Sequence, residues 1–548
     1  MQMMCQVFCE NLTCSISPSP KATFNGLMFD EGARQGDGDV RSGGITYRII
    51  SGGVHRLGKD IMIKLEHVSV RIQGQEILTD IDLNIDDGEF VLICGDSGCG
   101  KTTMTKLING LIPHFVKDAE VTGSVTVSGK NVANTEMYEM AEIVGSVFQN
   151  PKTQFFHTNS SAEMAFGLEN RGDDPETIRK RVSETVRELD IENLADRNVF
   201  AMSGGEKQLL AFASVYAMDP EVYVLDEPSA NLDAVGIEKL SRRLEVIKRE
   251  GHTVVVAEHR LAWLMPMADR VLYMRAGRIE REFTRDGFMH LSDRERTAMG
   301  LRSIHVENIE IPELLKVDRK ADDIKSKFQY SDTDEKPDVQ VHSSFDDEAL
   351  IVRNLSCYRK KREIFAGITF AANAGDIIGI VGRNGAGKST FCNVLCGLLP
   401  EKSGEITYEG KKLGKRARTK LFGMVMQDVN HQLFSDSVKN ECLLADEDAT
   451  DEQINELLAG FDLAEFAENH PMTLSGGQRQ RLAVCQAVMG GKRLLIFDEP
   501  TSGLDYRHMC QVGELLRKLA ADGHIILVVT HDYEFLNKTC DGYIRIDR

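Results

Sequence analysis

The sequence predicts an α/β fold that occurs twice in one chain, each copy with a mainly parallel sheet and flanking helices. Short apolar segments of strand length alternate with helical patterns, as where EFVLICG leads into a glycine-rich loop and KTTMTKLINGLI follows it. VYVLDE and TVVVAEH are nearly continuous apolar runs, which is typical of strands in a parallel sheet covered on both faces. A third observation, the repetition of four motifs, gives the number of copies.

The four motifs recur in the same order in the two halves of the chain. GDSGCGKTT at 95–103 returns as GRNGAGKST at 382–390, and MSGGEKQ at 202–208 returns as LSGGQRQ at 474–480. VYVLDEPSANLD at 222–233 returns as LLIFDEPTSGLD at 494–505, and VVVAEH at 254–259 returns as LVVTH at 527–531. The first pair of motifs is 287 residues apart and the other three pairs are 272 residues apart. The second copy is therefore shorter between its first two motifs.

The repeats divide the chain into four predicted regions. A disordered or irregular N-terminal tail covers 1–61, where nine glycines occur without an apolar period. The first domain covers 62–300 and the second covers 349–548. Between them, 301–348 is predicted to be an acidic linker, because 317–348 contains ten acidic residues, five basic residues and one proline.

The composition argues against several classes of protein. Lys and Arg number 65 against 84 Asp and Glu, and the net charge of −19 disfavours a protein that binds nucleic-acid phosphates. No apolar run approaches the roughly 18–20 residues of a membrane span. The twelve cysteines occur mostly as isolated residues, which is typical of reduced thiols in a cytoplasm. Cys5, Cys9 and Cys14 lack a fourth ligand, so the sequence does not favour a metal cluster there.

The glycine-rich motif of each copy is predicted to bind phosphate. The pattern G-x-x-x-x-G-K-[ST] between a strand and a helix turns successive backbone N–H groups toward one anion, and the helix adds its positive N-terminal end. The lysine reaches the β- and γ-phosphates, and the hydroxyl that follows it can bind Mg²⁺. The predicted phosphate-binding residues are Gly95, Asp96, Ser97, Gly98, Cys99, Gly100, Lys101, Thr102 and Thr103, and Gly382, Arg383, Asn384, Gly385, Ala386, Gly387, Lys388, Ser389 and Thr390.

Acidic pairs and histidines end the later apolar strands. Asp226 and Asp498 are predicted Mg²⁺ ligands, with Thr102 and Ser389. The adjacent glutamates, Glu227 and Glu499, are placed to polarise an attacking water, since phosphoryl transfer depends mainly on positioning and charge neutralisation. Each glutamate is followed 32 residues later by a histidine that is predicted to sense the γ-phosphate. These histidines are His259 and His531.

The motif S-G-G-[EQ], between a phosphate loop and an apolar-Asp-Glu-Pro strand, resembles the signature of ATP-binding-cassette ATPases. The likeness covers about 62–285 and 349–548. It implies two cassettes, each with a helical subdomain, which bind ATP and Mg²⁺, pair head-to-tail and hydrolyse ATP to ADP and phosphate. Each signature then caps the nucleotide of the other cassette: Ser475, Gly476 and Gly477 over Lys101, and Ser203, Gly204 and Gly205 over Lys388. The likeness also implies that Gln149 and Gln427 contact Mg²⁺ and relay to the partner cassette.

Two features of the resemblance concern the ends of the nucleotide. The family's adenine-stacking aromatic corresponds to Ile72 and Arg359, neither of which is aromatic. The two signatures also differ, with Glu206 in the first and Gln478 in the second. Head-to-tail pairing would bring Glu206 near the ATP on Lys388, where repulsion between carboxylate and phosphate predicts weaker closure of that site.

A narrower resemblance suggests the kind of cassette protein. VFQNPKTQFFHTNSSAEMAFGLEN at 147–170, and VMQDVNHQLFSDSV at 425–438 in shorter form, resemble a segment in ATPases of energy-coupling factor importers for vitamins, their precursors or transition metals. This implies a peripheral protein on the cytoplasmic face of the membrane, with an integral-membrane coupling subunit and a membrane substrate-binding subunit as partners. The residues expected to be partly exposed and to meet a membrane-protein helix are Phe155, Phe156, Leu433 and Phe434.

Two alternatives stay open at this point. One is the tandem ATPase of a sugar-type ABC importer, from which the wording of 147–170 separates this sequence. The other is a soluble, translation-associated tandem cassette ATPase, which also lacks membrane spans. The acidic linker argues against this second class, because it lacks the basic helical pair that would reach ribosomal RNA.

Overall fold

The computed structural model describes residues 60–305, 312, 349–359 and 362–546, together with the backbone of five short strands between 21 and 59. The predicted tail over 1–61 contains these strands, which pair only with one another in the described residues. Most of the predicted linker lies outside the described residues. The five strands, β1 to β5, are Lys21–Phe24, Leu27–Asp30, Gly38–Ser42, Ile45–Ile50 and Gly53–Lys59.

The first domain contains two sheets. Its ten strands, β6 to β15, are Ile61–Ile72, Gln75–Asp86, Phe90–Gly95, Ala119–Val127, Lys130–Asn131, Val144–Val147, Val222–Asp226, Thr253–Ala257, Arg270–Arg275 and Arg278–Thr284. One sheet has the order β11-β12-β13-β8-β14-β15 and is parallel except for β15. The other, β10-β9-β6-β7, is antiparallel. The predicted mainly parallel sheet is confirmed, and the antiparallel sheet is an addition to it.

Nine helices accompany these sheets in the described part of the first domain. Helices α1 to α9 are Lys101–Ile108, Leu111–His114, Met137–Ile143, Ser160–Arg171, Pro175–Glu188, Gly204–Met218, Ala234–Glu250, Arg285–Met289 and Asp293–Ala298. Helix α1 packs between the two sheets, where Met104, Leu107 and Ile108 join one apolar cluster with residues of both. The phosphate loop before α1 is therefore held rigidly on two sides.

The second domain repeats this arrangement. Its sheets have the orders β21-β22-β23-β18-β24, which is parallel, and β17-β16-β19-β20, which is antiparallel. Strands β16 to β24 are Leu350–Arg359, Arg362–Ala372, Ile377–Val381, Ser403–Tyr408, Lys411–Lys412, Phe422–Val425, Leu494–Asp498, Ile525–Val529 and Gly542–Arg545. Helices α10 to α16 are Lys388–Leu395, Lys415–Leu421, Val438–Ala445, Asp451–Gly460, Gly476–Met489, Tyr506–Ala521 and Tyr533–Thr539.

The apolar strands are covered on both faces, as their sequences predict. Every residue of β13 and β23 is buried, and the side chains on opposite faces of β13 belong to two different apolar clusters. Burial of such continuous Val, Ile and Leu runs contributes roughly 1.5–3 kcal/mol for each fully buried side chain. The carboxyl ends of these strands form the edge at which the functional residues meet.

A short segment at the end of the first domain joins it to the second. In this segment, residues 299–305, which we name the strap, Leu301 and Ile304 are buried in the first domain's core. Arg302 reaches the second domain, with a guanidinium nitrogen 2.7 Å from the Asp532 carboxylate. The predicted linker began at 301, but its first residues pack as an interface because their apolar and charged side chains find partners there.

Candidate nucleotide-binding sites

Each phosphate loop begins at a glycine that no other residue could replace without a clash. Gly95 ends β8 with φ +146°, and a Cβ built on it would lie 2.1 Å from the carbonyl oxygen of Met274. Gly382 follows β18 with φ +154°, and its Cβ would lie 2.2 Å from the carbonyl oxygen of Ile546. The backbone can therefore turn sharply from strand to helix only with glycine here.

The loop lysines are held inside their own loops. The ammonium of Lys101 donates to the carbonyl oxygens of Gly95 and Asp96, each at 3.0 Å. The ammonium of Lys388 donates to the carbonyls of Gly382 at 2.8 Å and Arg383 at 3.2 Å. Burial lowers the pKa of Lys388. Since both lysines are buried at the start of a helix, each places a positive charge where a phosphate chain would lie.

A carboxylate and a hydroxyl meet beside each loop. Burial raises the pKa of Asp226, and a hydrogen bond from Thr102 partly offsets this effect. Burial also raises the pKa of Asp498, and the charge of Lys388 and a hydrogen bond from Ser389 partly offset this effect. One oxygen of Asp226, Oδ1, is buried without a hydrogen-bond partner in the described residues. An unsatisfied carboxylate oxygen beside a hydroxyl fits the oxygen ligands that Mg²⁺ prefers.

The glutamates that follow these aspartates have a strained backbone. Glu227 has φ +46° and Glu499 has φ +50°, in the left-handed region that glutamate rarely adopts. Burial, with the neighbouring carboxylates of Glu258 and Asp226, raises the pKa of Glu227 to about 8. Burial raises the pKa of Glu499 to about 7. Strain repeated in two copies at carboxylates with raised pKa values is typical of functional positions.

Each of these glutamates has a histidine beside it at the same distance. His259 and His531 each place Nε2 3.5 Å from the Oε1 of Glu227 and Glu499, respectively. Burial, helped by Lys388, lowers the pKa of His531 to about 4, and burial lowers that of His259 well below its usual value. Both imidazoles are therefore neutral at pH 7.

The two glutamines also differ. Gln149 donates through Nε2 to the Oε2 of Glu227 at 2.8 Å, in its own domain. Gln427 donates instead to the side-chain oxygen of Asn231 at 3.3 Å, across the domain interface. Only the first glutamine therefore contacts the glutamate of its own site.

The site on Lys388 combines residues of both domains. The first domain's signature, Ser203 to Gly205, lines one cavity with the second domain's phosphate loop, Gln427, Asp498, Glu499 and His531. A Cβ on Gly205 would lie 2.8 Å from the side-chain nitrogen of Asn384. The backbone N–H of Asn384 donates to the Asp233 carboxylate at 2.7 Å. The predicted head-to-tail juxtaposition of this signature and this loop is what the structure contains.

The site on Lys101 has a different arrangement. The backbone N–H of Ser97 donates to the Asp505 carboxylate at 2.6 Å, which repeats the Asn384–Asp233 contact. A Cβ on Gly503 would lie 2.9 Å from the Oε2 of Glu227. The second signature, 475–477, is exposed, and a Cβ on Gly476 or Gly477 would meet nothing within 4 Å. The structure does not bring this signature against the first phosphate loop.

Several residues of these sites were not singled out from the sequence. Asp233 and Asp505 join the two domains, and their recurrence in SANLD and TSGLD was the available signal. Asn231, Arg260 and Ile364 also line the cavity on Lys388. Asn231 lies within the repeated segment 222–233, but the second copy has Gly503 at that position. The positions of the three cavity residues depend on how the two domains dock, which no local pattern encodes.

A parallel sheet, a lysine-bearing glycine loop at its edge and a strand-end acidic pair define a phosphate-loop nucleotide-binding protein with two sites. The family model described as ABC transporter matches residues 78–230 and 365–502. The chain therefore belongs to the ABC transporter family as a tandem ATP-binding protein, and this family membership implies ATP hydrolysis. The two domains are accordingly called cassettes below.

Similar proteins extend the likeness over most of the chain. A protein of Treponema denticola, named as a candidate ABC transporter ATP-binding protein, is 43% identical over 481 residues, covering 87% of this chain and 94% of its own length. A second protein of that organism with the same name is 37% identical, covering 89% of this chain and 95% of its own length. Archaeal ribosome recycling factor aABCE1, solved in complex with ribosomal stalk protein aP1, is 20% identical with a TM-score of 0.55, covering 85% of this chain and 84% of that one. This last likeness extends to the fold alone.

Proposed function

We propose that this chain is the ATP-hydrolysing subunit of a membrane importer of the energy-coupling factor type. Its partners would be an integral-membrane coupling subunit and a membrane substrate-binding subunit, with the chain on the cytoplasmic face. In the described part of the chain, no helix has the length and apolar character needed to cross a bilayer. The cargo would be bound by a membrane partner.

The proposed chemistry is Mg²⁺-dependent hydrolysis of ATP at both sites. Lys101 and Lys388 neutralise phosphate charge, while Glu227 and Glu499 orient and polarise the attacking water. When bound, Mg²⁺ neutralises the charge of the phosphate chain. The residues that would hold it are Thr102, Gln149 and Asp226 at one site, and Ser389, Gln427 and Asp498 at the other.

The observation that carries the transport proposal is an exposed phenylalanine repeated in both cassettes. Phe156 and Phe434 are 74% and 79% exposed, and each lies seven residues after the glutamine of its cassette. Large exposed aromatic side chains at matched positions are costly in water and typical of interface anchors. Their recurrence in both cassettes favours a partner that contacts the two cassettes in the same way.

A buried glutamate fixes the backbone of each exposed phenylalanine. The Glu163 carboxylate accepts from the backbone N–H groups of Phe156 at 2.9 Å and His157 at 2.6 Å. The Glu441 carboxylate accepts from those of Phe434 and Ser435, each at 2.5 Å. Since both carboxylates are buried, the phenylalanines are presented on a rigid frame rather than on a loose loop.

The expectation that all four predicted contact residues are partly exposed is wrong for Leu433 and holds for the three phenylalanines. Leu433 is buried in the second cassette's core, and Phe155 is partly buried against the first cassette's core. Gln154 and Gln432 brace the two loops in the same way. Each side-chain oxygen accepts from a backbone N–H six residues earlier, and each side-chain nitrogen donates to a carbonyl eight residues earlier. The contact residues in the proposal are therefore Phe156 and Phe434.

A second exposed apolar residue precedes each signature. Phe200 and Met472 are exposed, and each lies three residues before the serine of its signature. The segment that contains Phe200 is joined to the loop of Phe156 by the backbone bond from Val199 N–H to the Thr158 carbonyl, 2.8 Å long. We name Phe156 with Phe200, and Phe434 with Met472, the partner patches. The partner patches lie next to the signatures. A partner bound there would therefore move when the two cassettes close on nucleotide.

Co-purification from detergent-solubilised membranes tests the proposal. Phe156→Ala combined with Phe434→Ala is expected to abolish association with membrane subunits while the chain still hydrolyses ATP. Loss of one aromatic anchor costs about 2 kcal/mol or more, roughly a 30-fold loss of affinity. Phe115→Ala is the matched control, because Phe115 is also exposed but lies outside the partner patches.

The outcomes separate the alternatives. Co-purification with a coupling subunit and a small substrate-binding membrane protein supports the proposal. Recovery with two membrane permease subunits and an external sugar-binding protein would support the sugar importer instead. Co-sedimentation with ribosomes, with no membrane partner, would support the translation-associated class.

A further inference from the structure

Arg260 belongs to the first cassette but lies in the nucleotide site of the second. It follows His259 at the end of β13, and its side chain lines the cavity that contains Lys388, Glu499 and His531. Arg260 is half-buried, and within the residues that the structure describes its guanidinium forms no hydrogen bond or ion pair. A cation is therefore held in this cavity without a fixed partner.

Charged groups of the second cassette lie near Arg260, and in its own cassette the Glu258 carboxylate accepts from its backbone N–H at 3.1 Å. Burial raises the pKa of Glu499, and the charge of Arg260 partly offsets this effect. Against the effect of burial, Arg302 and then Arg260 lower the pKa of Asp532, and burial, Lys388 and Arg260 lower the pKa of His531. Two of these residues, Glu499 and His531, surround Lys388 at the end of the loop where the terminal phosphate would lie. The guanidinium is therefore close enough to act on a charge in that place.

The equivalent residue of the second cassette is acidic, and its carboxylate already has ion-pair and hydrogen-bond partners. Asp532 lies 272 residues after Arg260, is buried, and pairs with Arg302 at 2.7 Å. It also accepts from the hydroxyl of Thr501 at 3.0 Å and from the backbone N–H of Phe535 at 3.1 Å. Asp532 therefore cannot supply the site on Lys101 with the cation that Arg260 supplies at the site on Lys388.

We propose that Arg260 binds the terminal phosphate of the ATP held by Lys388, as a residue supplied in trans by the first cassette. This inference rests on the nucleotide-site roles proposed above. A guanidinium matches phosphate oxygens with two parallel N–H groups and remains charged when partly buried. Its free donors exchange bulk water for phosphate when the nucleotide enters, and ATP binding then draws the two cassettes together at this site.

The test uses equilibrium binding to the full-length chain in a Lys101→Ala background, which leaves the Lys388 site to report. The probes are a fluorescent, non-hydrolysable ATP analogue and the corresponding ADP analogue. Arg260→Gln is expected to weaken the binding of the triphosphate analogue about tenfold or more, because a charged hydrogen bond is lost. The affinity for the diphosphate analogue is expected to change less than twofold. Arg260→Lys is expected to recover part of the loss.

Two controls distinguish the inference from the function on which it rests. Arg249→Gln removes the same charge from an exposed helix position and is expected to change neither affinity. In a Lys388→Ala background, Arg260→Gln should leave the Lys101 site unchanged, which also establishes that the variant is folded. Unchanged triphosphate affinity at the Lys388 site, or equal losses for both nucleotides, overturns the role of Arg260. Failure of either background to bind any nucleotide overturns the proposed function itself.

Discussion

The nucleotide sites on Lys388 and Lys101 are built from the same motifs but are joined to the opposite cassette to different extents. Asp233 and Asp505 make equivalent bonds to the opposite phosphate loops. Only the site on Lys388 also has a signature glycine against its loop, at Gly205, whereas Gly477 lies in open space. The repeated motifs therefore supply equivalent residues to the two sites, while the closure of each site depends on contacts between the cassettes.

The surroundings of the two sites also differ, both in their contacts and in their charges. The strap lies beside the site on Lys101, where a Cβ built on Gly300 would lie 2.2 Å from the Oδ1 of Asp96. Glu258 precedes His259 in the first cassette, whereas Thr530 takes the corresponding place in the second. Each difference places a charge or a contact at one site that the other lacks, so the two sites need not bind nucleotide equally.

The largest expected effect is on stability, from the ion pairs of the strap. Arg302→Met leaves the buried Asp532 without its ion-pair partner, while Glu534 keeps only Arg296, 3.8 Å away, as a paired cation among the described residues. This loss is expected to lower the free energy of unfolding by about 3–5 kcal/mol. Against the effect of burial, Arg302 lowers the pKa of Asp532. The difference in unfolding free energy between the parent protein and the variant should therefore decrease below about pH 4, as Asp532 becomes protonated.

Denaturant unfolding measures this loss at pH 7 and at lower pH. Arg242→Met is the control, because its i,i+4 partner Glu238 is exposed and such pairs contribute about 0.5 kcal/mol or less. If Arg302→Met behaves like the control, the strap does not join the cassettes in solution.

The next largest expected effect is a loss of catalysis at each of the two sites. Glu227→Gln and Glu499→Gln are each expected to leave ATP bound and to slow turnover at least 10²-fold, a loss of roughly 3 kcal/mol of transition-state stabilisation. Each glutamine keeps the shape of the side chain but cannot act as a base. Phosphate release and retained nucleotide are measured for each variant and for the double variant. Full activity in the double variant would contradict the catalytic role of both glutamates.

A smaller effect tests whether the difference in closure persists during nucleotide binding. Gly205→Ala places a methyl group against Asn384 and is expected to cost about 1–3 kcal/mol, or roughly 5- to 150-fold in affinity for a non-hydrolysable ATP analogue at the Lys388 site. Gly477→Ala, the matched control, is expected to change affinity at the Lys101 site less than twofold. Equal losses would mean that both signatures close on nucleotide in the same way.

The smallest effect concerns the charged signature residue. The sequence predicted repulsion between Glu206 and ATP, but the Glu206 carboxylate accepts from the Ser203 backbone at 2.8 Å and lies 2.6 Å from Arg197. These bonds hold the charge within the first cassette, so Glu206→Gln is expected to change ATP affinity less than twofold. Titrations at low and high salt measure this, and a several-fold gain at low salt would restore the original hypothesis.

Much of each site follows from contiguous sequence. The strand–loop–helix segments that contain Lys101 and Lys388 fold as predicted, because glycine, the loop lysine and the flanking apolar strand act within a few residues of one another. The same is true of the strand-end pairs at Glu227 and Glu499. By contrast, Phe155 and Phe156 are neighbours of equal hydrophobicity, and tertiary contacts separate them. Phe155 packs against the first cassette's core, whereas the buried Glu163 binds the backbone of the exposed Phe156.

The sequence by itself determined the doubled α/β fold, the phosphate loops, the acidic pairs and the family, because these depend on local patterns repeated in register. The tertiary structure decided which signature meets which loop, that Arg260 enters the opposite site, and that the strap packs against the second cassette. These features depend on contacts between residues hundreds of positions apart. Their geometry is set by how two preformed surfaces fit, and no short stretch of the chain encodes that fit.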